Sequence, residues 1–286
     1  MNWTAINNWI LHNEIMIRSF FFIGVLVGLI FWEIKVTWRK SLLKRENRWS
    51  THLILGGLSV FLVKLTFPIF ELGMAAIAQY HQIGLFHTSP SISIPFWLVV
   101  IFSIVGMDFA MYMQHRWMHR YPLFWRVHQV HHTDIELDAT TGLRFHPIEY
   151  FFMMGVKLLA VLFLGAPLVA VFIYEILLTS LTLFIHSNIQ LSLFTEHYLR
   201  WFLVTPGMHR IHHSDIPFEH NRNFGFCFSI WDRLFKSYLA TPHQGEYHLI
   251  LGLEHNRQAS SQTIQRLLAL PFLRHKPTKN RSNPLR

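Results

Sequence analysis

The chain has 286 residues, of which 51% are hydrophobic and only 14% are charged. A soluble domain usually carries about 25% charged residues, so this composition argues against a soluble domain and against a disordered chain. The single cysteine, Cys227, excludes a disulfide scaffold and a thiolate-bound zinc or iron–sulfur site, because each of these needs several cysteines. What remains is a membrane protein with an unusually large number of histidines, 20 in all.

The net charge of +9 is concentrated in two stretches, one at positions 35–48 and the other in the tail at positions 274–286. Loops on the cytoplasmic side of membrane spans are enriched in Lys and Arg, so we interpret this charge as a topology signal and as attraction to a lipid surface. The tail, at positions 275–286, is expected to be flexible. The sequence contains no nucleic-acid-binding motif, and we expect no nucleic-acid partner.

Five apolar segments follow one another along the chain. The first, at 15–34, is long enough to span a membrane and lacks the small-residue cleavage site of a signal peptide. The second and third cover roughly 52–70 and 92–113, and the last two, at 150–164 and 167–185, form a hairpin around a Gly-Ala-Pro turn. We predict an all-α integral membrane protein with about four transmembrane spans, since the short hairpin segments leave open whether the hairpin crosses fully.

Two charged residues, Lys157 and Glu175, lie inside this hairpin, each nine positions from Ala166 in the turn. Both therefore lie at the same depth in the membrane. Because an unpaired charge inside a membrane is costly, we predict an ion pair between them; the alternative is that Lys157 reaches toward the membrane surface and Glu175 faces a cavity.

The number of spans determines on which side of the membrane each polar segment lies. With positions 35–48 in the cytoplasm, the chain after the third apolar segment lies on that same side, apart from the 150–185 hairpin. The two large polar segments then form a histidine-rich helical cap on one face. We expect this cap in the cytoplasm, at a bacterial inner membrane or, in a eukaryote, at the endoplasmic reticulum.

Three histidine clusters stand in these polar segments. They read HRWMH at 115–119, HQVHH at 128–132 and HRIHH at 209–213, and His186 ends the fifth apolar segment. Positions i, i+3 and i+4 share one face of a helix, so the histidines of a cluster can point together. Neutral imidazole is a common metal ligand, and nine imidazoles are enough for two metal ions. The predicted ligands are His115, His119, His128, His131, His132, His186, His209, His212 and His213.

The other histidines and the nearby acids have weaker patterns. Surface or interfacial positions are expected for His12, His52, His81, His87, His243, His248, His255 and His275, whereas His197 and His220 are left undecided. Metal-bound histidines usually donate their second N–H to a carboxylate or carbonyl. The candidates for this role are Asp108, Asp134, Asp138, Glu149, Asp215 and Asp232. Asp108 is the strongest of them because it lies two helical turns before His115, and Asp134 is expected to be a solvated acid or a helix cap.

The ordered motifs HRWMH, HQVHH, FIHSN and HRIHH, followed by NRNFG and WDRLF, resemble the fatty acid hydroxylase/sterol desaturase superfamily over about residues 108–238. The stretch HQVHHTDIELDATTGLRFHPIE is similar to its bacterial sterol-desaturase-like members. The resemblance implies one membrane-embedded domain over 1–286, with the histidine-box core at 110–240. It also implies a non-haem centre of two Fe ions that uses O2 to hydroxylate or desaturate a fatty acyl, sterol or related lipid in the bilayer. The nine histidines match the metal-binding boxes of the family.

Two features depart from the family pattern. Some members carry a second histidine four residues before the position of His186, where this chain has Thr182. His146 and a water molecule are both open as the ligand that completes the set. The sequence has no recognisable cytochrome b5 domain, so the resemblance implies a separate electron-donor protein, and it leaves the oligomeric state open.

The alternative is a membrane protein that binds or transports metal without redox catalysis. Such a protein would place histidines along its spans, whereas these histidines gather at one face. A bis-histidine haem carrier would need paired histidines on facing helices, which adjacent histidine pairs do not suit. A metalloprotease is disfavoured because the sequence has no HExxH motif.

Overall fold

A computed structural model of the chain describes residues 3–41, 45–87 and 94–273. Within these ranges the regular structure is helical, apart from three isolated β-bridges. Five helical stretches are long and apolar enough to cross a membrane. The all-α membrane architecture is thereby confirmed. The basic tail at 275–286, and the first two positions of the third apolar segment, lie outside the described residues.

Twelve α-helices and four 3-10 helices make up the described chain. The α-helices are α1 (Trp3–Lys35), α2 (Arg45–Thr66), α3 (Glu71–Tyr80), α4 (Phe96–Arg120), α5 (Pro122–His132), α6 (Pro147–Leu164), α7 (Leu168–His186), α8 (Leu193–Leu199), α9 (Pro206–His212), α10 (Pro217–His220), α11 (Ile230–Leu234) and α12 (Ile264–Ala269). The 3-10 helices are Ala139–Leu143, Glu246–His248, Ala259–Gln262 and Leu270–Phe272.

The second predicted span, at 52–70, is too short. Proline lacks a backbone donor, and Pro68 accompanies a break of a few residues after α2. The chain then continues as α3, and the two helices form one apolar stretch of 33 residues, Arg48–Tyr80. The predicted span ends at Phe70, whereas the apolar sequence continues past Glu71 through α3.

The hairpin of α6 and α7 depends on a glycine. Gly165 ends α6 with a φ of +64°, a left-handed conformation that favours glycine. A Cβ at this position would lie 2.7 Å from the carbonyl oxygen of Ile83, so the turn also has no room for a side chain. Both helices, of 18 and 19 residues, are long and apolar enough to cross the membrane.

The predicted ion pair between Lys157 and Glu175 is confirmed. Nζ of Lys157 lies 3.0 Å from Oε2 and 3.1 Å from Oε1 of Glu175. Glu71 of α3 also contacts Lys157, and Arg18 of α1 lies 3.2 Å from Glu175. Two cations and two anions therefore neutralise one another between four helices, which lowers the cost of placing them in the membrane.

The core of the bundle surrounds α7. This helix packs against α1, α3, α4 and α9, and half of its apolar stretch is buried. Its side chains Tyr174, Leu178 and Ile185 join Met107 and Met111 of α4 in the main apolar cluster. In contrast, only 6% of the apolar window of α1 is buried, so this helix presents most of its surface outward, as a lipid-facing helix does.

The polar segments gather at one end of the bundle. Glu33, near the end of α1, accepts hydrogen bonds from the backbone N–H groups of Ala139 at 2.8 Å and Asn188 at 2.9 Å. Arg48, near the start of α2, forms an ion pair with Asp134 at 2.9 Å. These contacts place both polar segments at the same end, as the counting of spans predicts.

Two members of the basic stretch at 35–48 hold the polar cap to the ends of the membrane helices. Arg48 is only 7% exposed and is held between Asp134 and Asp138. Arg39 is exposed and donates a hydrogen bond to the carbonyl oxygen of Leu249 at 2.9 Å. The interpretation of this charge as lipid attraction is therefore wrong for the buried Arg48.

Candidate metal centre

The structure brings all nine predicted ligands together in two adjoining groups. Within each group the candidate ligand atoms all lie within 4.8 Å of one another. The first group is His115, His119, His128, His132 and His212, and the second group is His131, His186, His209 and His213. Helices α4, α5, α7 and α9 supply them, and His213 follows α9 directly.

Each adjacent histidine pair is divided between the two groups. His131 belongs to the second group and its neighbour His132 to the first, while His212 belongs to the first and His213 to the second. The rings of His132 and His213 stack at 4.5 Å between centroids, where the groups meet. The HH pairs of α5 and α9 therefore form the common wall of two neighbouring sites.

The first group contains two imidazole nitrogens with facing lone pairs. The Nδ1–H of His115 donates to the carbonyl oxygen of Phe224 at 2.7 Å, and the Nδ1–H of His128 donates to Oε1 of Glu149 at 2.6 Å. Because each ring has its hydrogen on Nδ1, both Nε2 atoms carry lone pairs, and they lie 3.1 Å apart. A shared cation would relieve this repulsion.

The second group has a similar arrangement around His186. Its Nδ1–H donates to the carbonyl oxygen of Thr182 at 2.6 Å, which leaves a lone pair on Nε2. Nε2 of His131 lies 3.0 Å away from it, and Nε2 of His209 lies 2.9 Å away. Three ring nitrogens thus converge at the end of α7, as ligands of one ion do.

The unsatisfied ring nitrogens also fit metal ions. Among the described residues, both ring nitrogens of His119, His132 and His213 are buried without a hydrogen-bond partner. A buried polar atom left in this way costs about 1–3 kcal/mol. Such a concentration of free lone pairs is stabilised when cations bind, and all-imidazole sets suit iron, zinc, copper or nickel.

Burial keeps these imidazoles in the form that binds metal. Removal from water lowers the pKa of His128 to about 3. Burial, reinforced by the neighbouring histidines, lowers the pKa of His132 and His213 well below the usual range. These rings are therefore neutral at pH 7, with a lone pair available for coordination.

The predicted carboxylates support the groups in different ways. Glu149 contacts a candidate ligand directly, through His128. Asp232 acts at one remove, since its carboxylate accepts the backbone N–H groups of Phe224 at 2.8 Å and Gly225 at 2.9 Å, and the carbonyl of Phe224 orients His115. Both acids are buried, so their bonds to the site are not exposed to competing water.

Asp108 does not bond to a histidine of the two groups. Its carboxylate accepts the backbone N–H of Phe228 at 3.1 Å and the indole N–H of Trp231 at 2.8 Å. The expectation of a direct contact with the histidine groups is therefore wrong. Asp108 instead fastens the segment around 227–231 to α4, on which His115 and His119 lie.

Two polar residues are more buried than the sequence predicts, since Asp134 is expected to be a solvated acid or a helix cap and His52 to be at the surface or an interface. Asp134 is 2% exposed and paired with Arg48, and His52 is fully buried, with Nδ1 2.9 Å from the hydroxyl of Thr140. Arg144, which the sequence analysis did not single out, donates to the carbonyl oxygen of Val130 at 3.1 Å and so supports the end of α5. In the sequence, the one feature that points to a buried role for Arg144 is its position between two apolar residues, Leu143 and Phe145.

The histidines whose role as metal ligands the sequence leaves undecided lie outside both groups. His146 caps the start of α6, where its Nδ1 accepts the N–H of Ile148 at 3.1 Å, so it is not positioned to complete a ligand set. His220 stacks on Trp125 with 5.2 Å between ring centroids, beside the first group. His197 is exposed.

Comparison with known proteins adds a second kind of observation. The fatty acid hydroxylase family model matches residues 100–237, which include all nine histidines. Ornithine lipid hydroxylase OlsE of Rhizobium tropici is 32% identical over 178 residues, which cover 60% of this chain and 51% of that protein. Alkylglycerol monooxygenase of Xenopus tropicalis is 30% identical over 147 residues, which cover 51% of this chain and 32% of that protein.

A third relative is named for a different activity. The very-long-chain aldehyde decarbonylase GL1-5 of Oryza sativa subsp. indica is 26% identical over 203 residues, 68% of this chain and 30% of that protein. The matched part of this chain thus spans about half or less of each of these relatives. No solved structure matches the chain.

Proposed function

We propose that the chain, whose residues 100–237 match the fatty acid hydroxylase family model, is a member of the fatty acid hydroxylase/sterol desaturase superfamily and an integral membrane di-iron enzyme that uses O2 to hydroxylate or desaturate a lipid. Relatives named for the hydroxylation of ornithine lipids and the monooxygenation of alkylglycerols favour a membrane lipid as the substrate and hydroxylation as the reaction. The nine histidines are the proposed ligands, and residues 1–286 are proposed to form one domain.

The observation that carries this proposal is the pair of adjoining histidine groups with facing lone pairs. Five and four imidazoles in contact across His132 and His213 suit two neighbouring ions. The groups gather at one end of the bundle, whereas a transport path would distribute its ligands along the helices. This placement favours catalysis at the membrane surface over metal transport.

When bound, the two iron ions would activate O2 as the oxidant that breaks an unactivated C–H bond. The chain's own residues hold and orient them. Three rings are fixed with Nε2 toward the centre by the hydrogen bonds that their Nδ1–H groups donate. These run from His115 to Phe224, from His128 to Glu149 and from His186 to Thr182. The carboxylate of Glu149 makes His128 a stronger donor to metal, as outer partners of metal-bound histidines do.

Membrane anchoring positions the substrate. Because α4 and α7 are membrane helices that carry His119 and His186 in their last turns, a lipid in the bilayer needs to move only to the end of the bundle to meet the site. Hydroxylation puts one atom of O2 into the lipid and converts the other to water, which takes two electrons and two protons. We therefore infer a separate electron-donor protein, and we place the site in the cytoplasm, on the side of the basic stretch.

Metal analysis of paired variants tests the proposal. Purified wild-type protein is expected to contain about two iron ions per chain by elemental mass spectrometry. His131→Ala removes a ligand from the second group and His212→Ala removes one from the first, so each should lower the iron content and abolish lipid oxygenation. The matched control is His197→Ala, because His197 is exposed and lies outside both groups.

Lipid profiling of cells with and without the active protein then identifies the reaction. A product that gains one oxygen indicates hydroxylation, and a product that loses two hydrogens indicates desaturation. If His131→Ala and His212→Ala keep full iron content and full turnover, the di-iron assignment is wrong.

A further inference from the structure

A polar cleft of about 390 Å³ opens beside the first histidine group. His119 contributes to its lining, so the cleft reaches one of the proposed ligands. Its volume is in the range of small-molecule sites, which is about 300–1,000 Å³. The cleft therefore offers a small polar group a position next to the proposed metal centre.

Four basic side chains line the cleft: Arg116 and Arg120 from the end of α4, and Arg222 and Lys236 from the polar cap. Within the described part of the chain, none of the four forms an ion pair with a carboxylate. The negative charge of Asp232 attracts Arg116, but the two residues form no ion pair. The carboxylate oxygens of Asp232 already accept hydrogen bonds from Phe224, Gly225 and Ser237.

Three of these cations are available to a ligand. Arg222 is engaged within the protein, since it donates to the carbonyl oxygen of Lys236 at 2.8 Å and stacks on the ring of Phe218 at 4.6 Å. Arg116 contacts the hydroxyl of Tyr112 and lies 5.8 Å from the centre of the Phe235 ring, but its guanidinium has further N–H donors. Arg120 and Lys236 have no hydrogen-bond partner for their side chains among the described residues, and concentrated positive charge in a cleft attracts anions. Guanidinium groups match phosphate and carboxylate oxygens in pairs, which favours these anions over others.

The position of the cleft favours a lipid as the source of the anion. Arg116 and Arg120 lie in the last turns of a membrane helix, where headgroups of the bilayer are found. The aromatic side chains of Phe224 and Phe235 also line the cleft and suit the apolar part of a lipid next to its headgroup.

We propose that this cleft binds the anionic headgroup of the lipid substrate, a phosphate or carboxylate held by Arg116, Arg120 and Lys236. The identification of this lipid as the substrate rests on the proposed function. Because the cleft reaches His119, the carbon that is oxidised lies near the headgroup and not at the far end of the chain. The position of the new oxygen in the product, read from fragmentation mass spectra, tests this consequence.

The binding test uses the full chain in phosphatidylcholine nanodiscs, with and without iron. The probes are dihexanoyl phosphatidylglycerol, dihexanoyl phosphatidylcholine and inorganic phosphate. The anionic lipid is expected to bind about tenfold more tightly than the zwitterionic one, and R116Q/R120Q should remove about this factor. Arg126→Gln is the matched control, because Arg126 is an exposed arginine on α5 outside the cleft.

Several outcomes would overturn the proposal. They are equal binding of the two lipids, inorganic phosphate binding as tightly as the anionic lipid, an equal loss in Arg126→Gln, and an oxygen inserted at the methyl end. The double variant could also bind lipid as wild type does while the electron donor reduces its iron more slowly. That result would assign the cations to the binding of a protein partner instead. Iron-free protein distinguishes the failure of the anion site from the failure of the proposed function. If iron-free protein binds the anionic lipid while iron-loaded protein oxidises no lipid, the proposed function is wrong and the anion site is retained.

Discussion

Replacement of Glu149 by glutamine tests how the protein supports the first histidine group. The bond from His128 Nδ1 to Glu149 is 2.6 Å long, and the two residues are 1% and 2% exposed. A buried hydrogen bond to a charged group contributes about 1.5–3 kcal/mol, and a neutral one about 0.5–1.5 kcal/mol. Glutamine keeps the shape but not the charge, so the loss is about 1–2 kcal/mol.

This loss predicts weaker iron binding at the first group only. Since about 1.4 kcal/mol corresponds to a factor of ten, Glu149→Gln should lower affinity there by about 5- to 30-fold. The second group, formed by His131, His186, His209 and His213, has no direct contact with Glu149 and should retain its affinity. An anaerobic titration of iron-free protein with Fe(II), with bound iron counted at each step, distinguishes the two sites.

The control for this titration is Glu254→Gln, which removes the same charge from an exposed position. Circular dichroism and thermal unfolding establish that each variant is folded. If Glu149→Gln binds both ions as tightly as wild type, the carboxylate does not strengthen His128 as a ligand. If both sites weaken equally, the two groups do not bind metal as separate units.

Two further predictions concern the membrane bundle. Lys157→Met leaves buried carboxylates short of a cation and should destabilise the protein by about 3–5 kcal/mol in detergent unfolding, whereas Lys157→Met with Glu175→Gln should recover part of this loss. An equally unstable double variant would mean that charge balance is not the cause. Gly165→Ala should cost at least about 1–2 kcal/mol because of its positive φ and its contact with Ile83. Gly155→Ala, where a Cβ meets nothing within 4 Å, should be neutral or stabilising, and equal effects of the two changes would refute the steric reason.

The gathering of the nine histidines could be predicted from the sequence because its signals are local or additive. Histidines three and four positions apart share a helix face whatever the rest of the fold does. The counting of membrane spans then brings distant clusters to one side. The division of His131 from His132, and of His212 from His213, could not be predicted, because it depends on how α5 packs against α9 and α7.

The supporting contacts were missed because they join residues that are distant in sequence. Arg48 and Asp134 are 86 positions apart, and nothing in the local pattern of either indicates the other. His52 lies among residues typical of a membrane surface, and its burial depends on the 3-10 helix Ala139–Leu143, which carries its partner Thr140. The basic cleft has the same origin, since Lys236 reaches the end of α4 only through the folded cap.

The histidines that end membrane helices determine the height of the centre above the middle of the bilayer. His186 lies 11 positions after Glu175 on α7, a rise of about 16 Å along the helix axis. A change in bilayer thickness alters the tilt of such helices, and the histidines must move with them. For the proposed lipid substrate, the thickness of the surrounding membrane would then set the level at which the site meets the lipid chain, and the lipid composition of the host bilayer would help to determine which carbon is reached.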